Sequence, residues 1–221
     1  MPEDDVPGRN DPEATVTVRG QAVVRAEPDE AILGVTLSAL EETPAAALAD
    51  VSRRSEALLA LLDELDVAKR DRSTTGITVH EEFDYSKAGR RSLGHRAAVR
   101  VVLRLADPDT IGRVVTRSTT EVDAEIDGPE WQISLGNPVR LRAASEAAAD
   151  GRRKATAYAE GVGARVGRLI SLAEPYTHPP IRRAARAEMV VASAAPDSMP
   201  VEQGEHEVGA AIEVTFALEL D

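Results

Sequence analysis

The side chains best suited to metal or acid–base chemistry are the four histidines, and their spacing indicates no shared site. They are far apart in the sequence, so no two lie within one helical turn or at a metal-ligand spacing. The chain also has no cysteine, so a zinc site would need ligands from distant segments. We interpret each histidine as a surface residue and predict no metal site and no cofactor. The four are His80, His95, His178 and His206.

Neighbouring acidic residues also indicate no catalytic pair. Glu81 and Glu82 are adjacent on a predicted strand, so their side chains face opposite ways and cannot act together as acid and base. The chain has no nucleophile-elbow, phosphate-loop or EF-hand motif. We therefore expect no catalytic residues and no enzymatic activity. A hydrolase would have to gather His80 or His95 with carboxylates from elsewhere in the chain.

A glycine cluster at Gly161, Gly163 and Gly167 has the loose spacing of a dinucleotide-binding motif. Such a motif needs a strand before the glycines and a helix after them. Here the glycines follow a long helical segment instead. We interpret Gly161 and Gly163 as the helix end, where a left-handed residue is common.

Composition and charge exclude several classes of protein. The formal net charge of -12 disfavours nucleic acid as a partner, because binding it needs a clustered basic face. No stretch approaches the ~20 apolar residues of a transmembrane helix. Residues 1–14 are acidic and lack the apolar region of a signal peptide, so we expect a disordered segment. This indicates either a cytoplasmic protein or a chain that starts after a removed signal.

The segment from Asn137 to Gly163 predicts one long helix around which the fold is organised. Asn137 can cap the first turn, and Pro138 fits the first helical position, where its missing N–H costs nothing. Residues spaced by three and four form a stripe of mainly Ala and Gly, which we expect to pack closely on a sheet. The stripe contains Leu141, Ala144, Ala148, Gly151, Ala155, Tyr158 and Val162.

The other segments alternate between pairs of strands and single helices. A first hairpin is predicted to turn at Pro28, with Gly20 as a bulge in its first strand, and a second hairpin contains residues 77–85 and 97–105. A turn at Gly128-Pro129 is expected to separate two short strands. A helix from Pro44, capped by Thr43, carries the stripe Leu48, Val51, Ser55, Leu58, Leu62 and Leu65 and should lie on a sheet. Asp107 is predicted to cap a short helix from Pro108.

This rhythm predicts an α+β fold. In it, β-hairpins alternate with helices, and largely antiparallel sheets are covered by helices that include the long Ala-rich one. We expect one domain over residues 15–221 or two subdomains, about 15–105 and 106–221. The final segment, 208–220, alternates apolar and polar residues and must join a sheet.

A Pro-rich stretch at 175–205 interrupts the pattern and is predicted to be a long loop. A loop of that length is normally functional or bound to a partner. Its arginines and apolar residues make it a candidate contact between subunits, with a solvated loop as the alternative. The candidate contact residues are Tyr176, Arg182, Arg183, Arg186, Met189 and Val190.

Several short blocks in order resemble the SIMPL domain, a family that includes periplasmic immunogenic antigens and YggE-like proteins of bacteria. The blocks are residues 16–20, 28–31, Thr43 with the following helix, Asp71 with Thr75, and the helix that runs into Gly163 and residues 167–170. The resemblance implies an α+β fold with no established enzymatic activity. It also implies ring-like or channel-like oligomers and a link to stress responses, and it supplies no catalytic residue.

Two functional hypotheses follow from the sequence. The first is a non-enzymatic homo-oligomer that acts through its assembly. The second is a monomeric module that binds a small molecule or a peptide in a groove beside the long helix. A hydrolase is the least favoured reading.

Overall fold

A computed structural model describes residues 13–86, 89–175, 182–183 and 200–220. Every strand pairing in it is antiparallel, and the long Ala-rich helix is present, so the predicted α+β class is confirmed. No described helix is long and apolar enough to span a membrane. The elements in chain order are β1 (Thr15–Ala26), β2 (Glu30–Glu41), α1 (Pro44–Glu64), a 3-10 turn (Lys69–Asp71), β3 (Arg72–Ser86), β4 (Gly89–Leu105), α2 (Pro108–Val122), β5 (Glu125–Gln132), α3 (Pro138–Gly161), β6 (Ala164–Ala173), β7 (Arg182–Arg183) and β8 (His206–Leu220).

The chain divides into two compact units, each with its own sheet. The first unit draws its described residues from Met1–Ala26, Leu135–Ala185 and Glu205–Asp221. The second draws them from Glu27–Ser134 and Arg186–Gly204. This division is discontinuous in sequence and differs from the contiguous split near residue 105 that the sequence suggested.

The first unit is a sheet covered by α3. Its strand order is β1-β8-β6, and β7 also pairs with β8. The predicted C-terminal strand is confirmed as the central strand, with Val18 opposite Val214 in the β1–β8 register. Helix α3 packs on β1 and β8. The buried cluster between them contains Val18, Ala147, Ala155, Ile212, Val214 and Phe216.

The buried face of α3 differs from the predicted stripe. Leu141, Tyr158 and Val162 are 78%, 64% and 70% exposed, so the predicted helix face was wrong at these positions. The residues on the sheet repeat every four positions and carry no side chain larger than a methyl group, which lets helix and strands approach closely. They are Ala143, Ala147, Gly151, Ala155 and Ala159.

Gly20 shows how close that approach is. A Cβ built on Gly20 would lie 2.1 Å from the carbonyl oxygen of Ala147 in α3. The β1–β8 register continues through Gly20 without a shift, so the predicted bulge was wrong. Glycine is required here because the helix backbone leaves no room for a side chain.

The second unit is a sheet of order β3-β4-β2-β5 with α1 and α2 packed on it. The predicted hairpin of β3 and β4 is confirmed. The predicted hairpin at Pro28 was wrong, because β2 pairs with β4 and β5 whereas β1 pairs with β8. Apolar residues of β2 and β4 alternate into the core, which includes Leu33, Val35, Leu37, Val99, Val101 and Leu103.

The two helices of the second unit begin where the sequence predicted. Thr43 accepts a hydrogen bond from the backbone N–H of Ala46, and Asp107 accepts one from that of Thr110. The predicted stripe of α1 is partly confirmed. Leu48 is 41% exposed, but four residues of the stripe are buried: Val51, Leu58, Leu62 and Leu65.

Strand β5 corrects the prediction of two short strands around Gly128-Pro129. The dipeptide has a cis peptide bond and lies inside one strand. The register of β5 against β2 shifts between Ile32 and Gly34 at this point. The Gly-Pro signal therefore marks a bulge in a single edge strand and not a turn.

Candidate functional site

The predicted subunit contact can be placed only in part. Tyr176, Arg186, Met189 and Val190 lie outside the described residues. The backbone of Arg182 and Arg183 forms β7, opposite Glu207 and His206 of β8. The contact role of all six residues stays a prediction.

The histidines that the structure describes lie in different environments. His80 is exposed on β3, and the Nδ1 atom of His95 lies 3.2 Å from the carbonyl oxygen of Glu42. The β3–β4 register sets Arg96 opposite His80 and Glu81 opposite His95, so the two imidazoles face opposite sides of the sheet. The prediction of a surface position was wrong for His206, which is buried at the start of the central strand β8, opposite Ala26. His178 is outside the described residues.

Metal-binding geometry is not found in the described part of the chain. No three residues among its His, Asp and Glu lie close enough together to hold a metal ion. The acidic residues with lowered pKa values are instead held by neighbouring cations or helix caps. In the second unit, a hydrogen bond from Arg96 lowers the pKa of Glu82, and one from Arg72 lowers that of Asp63.

A polar cleft of about 430 Å³ lies in the second unit, where α1 ends and α2 begins. Arg70, Arg104 and Arg113 are among the residues that line it, with Asp71 and Asp107 among the acids that balance their charge. The full lining is Leu65, Asp66, Val67, Ala68, Arg70, Asp71, Arg104, Leu105, Ala106, Asp107, Thr110 and Arg113.

The chemistry of this cleft is that of a helix cap. The Thr110 hydroxyl donates to Asp107 at 2.6 Å, and the backbone N–H of Thr110 donates to it at 2.9 Å. These hydrogen bonds lower the pKa of Asp107, the one from the hydroxyl most strongly. A carboxylate with a lowered pKa is a weak base, so the pair stabilises α2 and does not activate Thr110 as a nucleophile.

In the first unit, the hollow beside α3 is an open depression of about 420 Å³. All of its lining residues belong to α3 itself, so it is not a groove between the helix and the sheet. The residues are Ala149, Arg152, Arg153, Thr156, Ala157 and Glu160. This hollow is therefore not the groove that the sequence predicted beside the long helix, and that groove stays a prediction.

Strand β3, an edge strand of the second unit's sheet, has exposed apolar residues. Ile77 and Val79 of β3 are 67% and 40% exposed, although they share a face with the buried residues Val99 and Ala97 of β4. The alternation of Ile77 and Val79 predicted a strand, but no local signal in the sequence showed that it would be at an edge. We call the segment Gly76–Glu81 the β3 edge.

A family model for SIMPL, described as a protein of unknown function (DUF541), matches residues 16–216. The chain belongs to the SIMPL family. This confirms the resemblance seen in the sequence and, with the observed elements, the fold class that it implied. The family is described as one of unknown function, so membership of it assigns neither an activity nor a functional residue to this chain.

Two curated relatives of this SIMPL chain are periplasmic proteins. The 26 kDa periplasmic immunogenic proteins of Brucella melitensis biotype 1 and Brucella abortus strain S19 are each 27% identical to it over 222 residues. Each match covers 93% of this chain and 85% of the relative.

Solved structures add little to this picture. A de novo designed protein, Foldit4, is 19% identical over 44% of this chain and 91% of its own, with a TM-score of 0.26. A Burkholderia phymatum amidase of the hydantoinase/carbamoylase family is 16% identical over 63% of this chain and 37% of its own, with a TM-score of 0.23. Neither likeness is close enough to support an argument about fold or function.

Proposed function

We propose that this SIMPL-family chain is a non-enzymatic protein that acts through homo-oligomeric assembly. The observation that supports this proposal is the exposure of the apolar residues Ile77 and Val79 at the β3 edge. Exposed apolar residues that border a strand are typical of surfaces that bind another protein. The first unit has further exposed apolar side chains on α3, Leu141 and Tyr158.

More specifically, we propose that the assembly is ring-like or channel-like and is linked to a stress response. Its support is the resemblance of the chain to the SIMPL family. A ring requires the contacting surfaces to close after a fixed number of subunits. A closed assembly therefore has one defined mass, whereas open-ended addition of subunits gives assemblies of many different masses.

Light scattering of the full chain across protein concentration and salt tests this function. We expect an assembled species at high concentration that persists in salt, because apolar contacts are not screened. A strict monomer under all of these conditions would contradict the proposal.

We also propose that residues of the 175–205 segment contribute to the subunit contact. Its support is the backbone pairing of Arg182 and Arg183 with β8 and the apolar sequence at Met189 and Val190. Deleting residues 184–199 retains both β7 and Val201, which packs against the core of the second unit. A lower assembled mass is expected, and an unchanged mass would reject this role for the deleted residues.

The second candidate function is a monomeric binding module. The observation that favours it is the polar cleft of the second unit, which is lined by three arginines and three aspartates and is large enough for a small polar molecule with an anionic group. Thermal shift against a panel of anionic metabolites and acidic peptides tests it. A ligand that stabilises a monomeric protein would favour this function over assembly.

A further inference from the structure

Strand β3 has one unpaired side within the described part of the chain. It is fifteen residues long, its described strand neighbour is β4, and the sheet order places it at the margin. Residues 73–81 are all exposed. A strand at a sheet edge presents a row of N–H and C=O groups that another strand can pair with.

The exposed side chains of this edge continue the core face of the sheet. In the β3–β4 register, Ile77 is opposite Val99 and Val79 is opposite Ala97. Val99 and Ala97 are buried in the core, whereas Ile77 and Val79 are 67% and 40% exposed. The core face therefore extends beyond the cover of the helices, and a further strand at this edge would bury it.

Helix α1 contacts the start of β3 and carries two exposed apolar residues. The Arg72 guanidinium, at the start of β3, donates to the carbonyl oxygen of Leu59 at 3.1 Å and pairs with Asp63. Leu59 is 46% and Leu48 is 41% exposed. They are eleven residues apart and lie within about 20° of one helix face.

The β3 edge has fewer of the devices that protect edge strands from pairing than the other sheet edges have. Strand β5, at the opposite margin, contains Pro129 in a bulge. Strand β6, at the edge of the first unit's sheet, carries two register shifts and the charged residues Arg165 and Arg168. The β3 edge lies between two register shifts of β3, at Thr74/Gly76 and at Glu82/Phe83, and its own pairing with β4 is regular. It has no Pro or Lys, and Ile77, Thr78 and Val79 are β-branched residues suited to a strand.

The charge along the strand favours a second copy in the antiparallel direction. Lys69 and Arg70 precede β3, whereas Glu81 and Asp84 lie in its second half. Antiparallel pairing of two copies brings the acidic end of one strand toward the basic beginning of the other. Parallel pairing in register would set Glu81 against its own copy, which is unfavourable.

We propose that the β3 edge pairs antiparallel with the β3 edge of a second copy of this chain, with Ile77 opposite Val79 of that copy. This inference rests on the proposed self-association and names the surface that it uses. In this register Thr78 is opposite itself across a two-fold axis. The four apolar side chains of the two edges then share one face.

Cysteine cross-linking tests the register directly, because the chain has no cysteine of its own. Opposed residues of an antiparallel pair are close enough for a disulfide. We expect Thr78→Cys to form a disulfide-linked dimer on mild oxidation. Ile77→Cys and Val79→Cys should each stay uncross-linked alone and form a dimer when the two proteins are mixed. Leu169→Cys, at an exposed position of β6, is the control and should not cross-link.

A charge-substitution pair tests the contribution of the edge to assembly. Ile77→Lys with Val79→Lys should lower the assembled mass, and Leu169→Lys with Leu172→Lys, at similarly exposed positions, should leave it unchanged. Circular dichroism and a thermal melt establish that each variant is folded. If the wild type assembles but the β3 variants neither lose mass nor cross-link, the inference is overturned and the proposed function stands. A monomeric wild type would overturn both.

Discussion

Gly20 of β1 and Gly151 of α3 lie against each other where the helix crosses the strand. A Cβ built on Gly151 would lie 3.5 Å from the Cα atom of Gly20 and 2.8 Å from Cγ1 of Val214. This contact sets the distance between α3 and the first unit's sheet. The small residues of α3 follow from it, because larger ones would hold the helix away from β1 and β8.

Replacing Gly20 by alanine should therefore destabilise the first unit. Its Cβ would lie 2.1 Å from a backbone oxygen, so α3 has to shift. Overpacking of this kind costs about 1–3 kcal/mol, and we expect Gly20→Ala to be at the upper end. Chemical denaturation measures the free energy of unfolding.

The matched control is Gly161→Ala at the end of α3, where a new Cβ would meet no atom within 4 Å. This variant should be as stable as the wild type. Equal stability of Gly20→Ala and the wild type would contradict the close packing of α3 on β1.

Arg54 of α1 forms hydrogen bonds to β2 and to the end of α2, and it should be essential to the stability of the second unit. Its guanidinium donates to the carbonyl oxygens of Val122 at 3.0 Å, Ser38 at 2.8 Å and Asp123 at 2.5 Å. Arg54→Met leaves these carbonyls without their charged donor. Because hydrogen bonds to charged groups contribute about 1.5–3 kcal/mol each, we expect a loss of at least about 2 kcal/mol in unfolding free energy.

Arg53→Met serves as the control for this substitution. The Arg53 side chain is 71% exposed and pairs with Asp50 within the same helix, a type of contact that contributes little. Similar denaturation midpoints for the two variants would show that Arg54 does not hold the elements together.

Asp150 should make the first unit's stability depend on pH. Lys154 lies 2.7 Å from its carboxylate, and the backbone N–H of Gln21 donates to it at 2.9 Å. Both lower the pKa of Asp150 from its ordinary value of 3.8, with Lys154 the larger cause. Because the pKa is lower in the folded state, the stabilisation is complete above 3.8 and is lost as the pH falls through the lowered value.

Asp150→Asn should accordingly be less stable than the wild type near neutral pH, with the difference shrinking as the pH falls below 3.8. Thermal melts over a pH series measure this. Glu146→Gln, which changes an exposed pair with Arg142 on the same helix, should show a small difference at all pH values. A constant gap between Asp150→Asn and the wild type across the series would argue against the linkage.

Features fixed by local chemistry could be predicted from the sequence. Asn137 caps α3 by accepting from the N–H of Val139, and Gly163 has the left-handed φ of 73° that ends this helix. The cap residues Thr43 and Asp107 were also found correctly. Each depends on residues a few positions apart, so the sequence contains the whole signal.

Features that depend on distant partners could not be predicted. Proximity in sequence favoured pairing β1 with β2, but β1 pairs with β8, where Val18 meets Val214. The buried face of α3 was also misjudged, since spacings of three and four fit more than one face of an Ala-rich helix. The deciding factor was the contact at Gly20, which is far from α3 in the sequence.

The candidate site was predicted less well than the fold. The residues of the 175–205 segment were selected for their composition, and most of them lie outside the described residues. The β3 edge was recognised as a strand through Ile77 and Val79. Its position at a margin depends on strand order, which alternation alone does not encode.

Sedimentation velocity of the wild-type chain over a wide dilution series tests the central claim most directly. The account predicts one discrete assembled species that gives way to monomer on dilution. A sedimentation coefficient equal to that of a single chain at every concentration would contradict assembly as the basis of function.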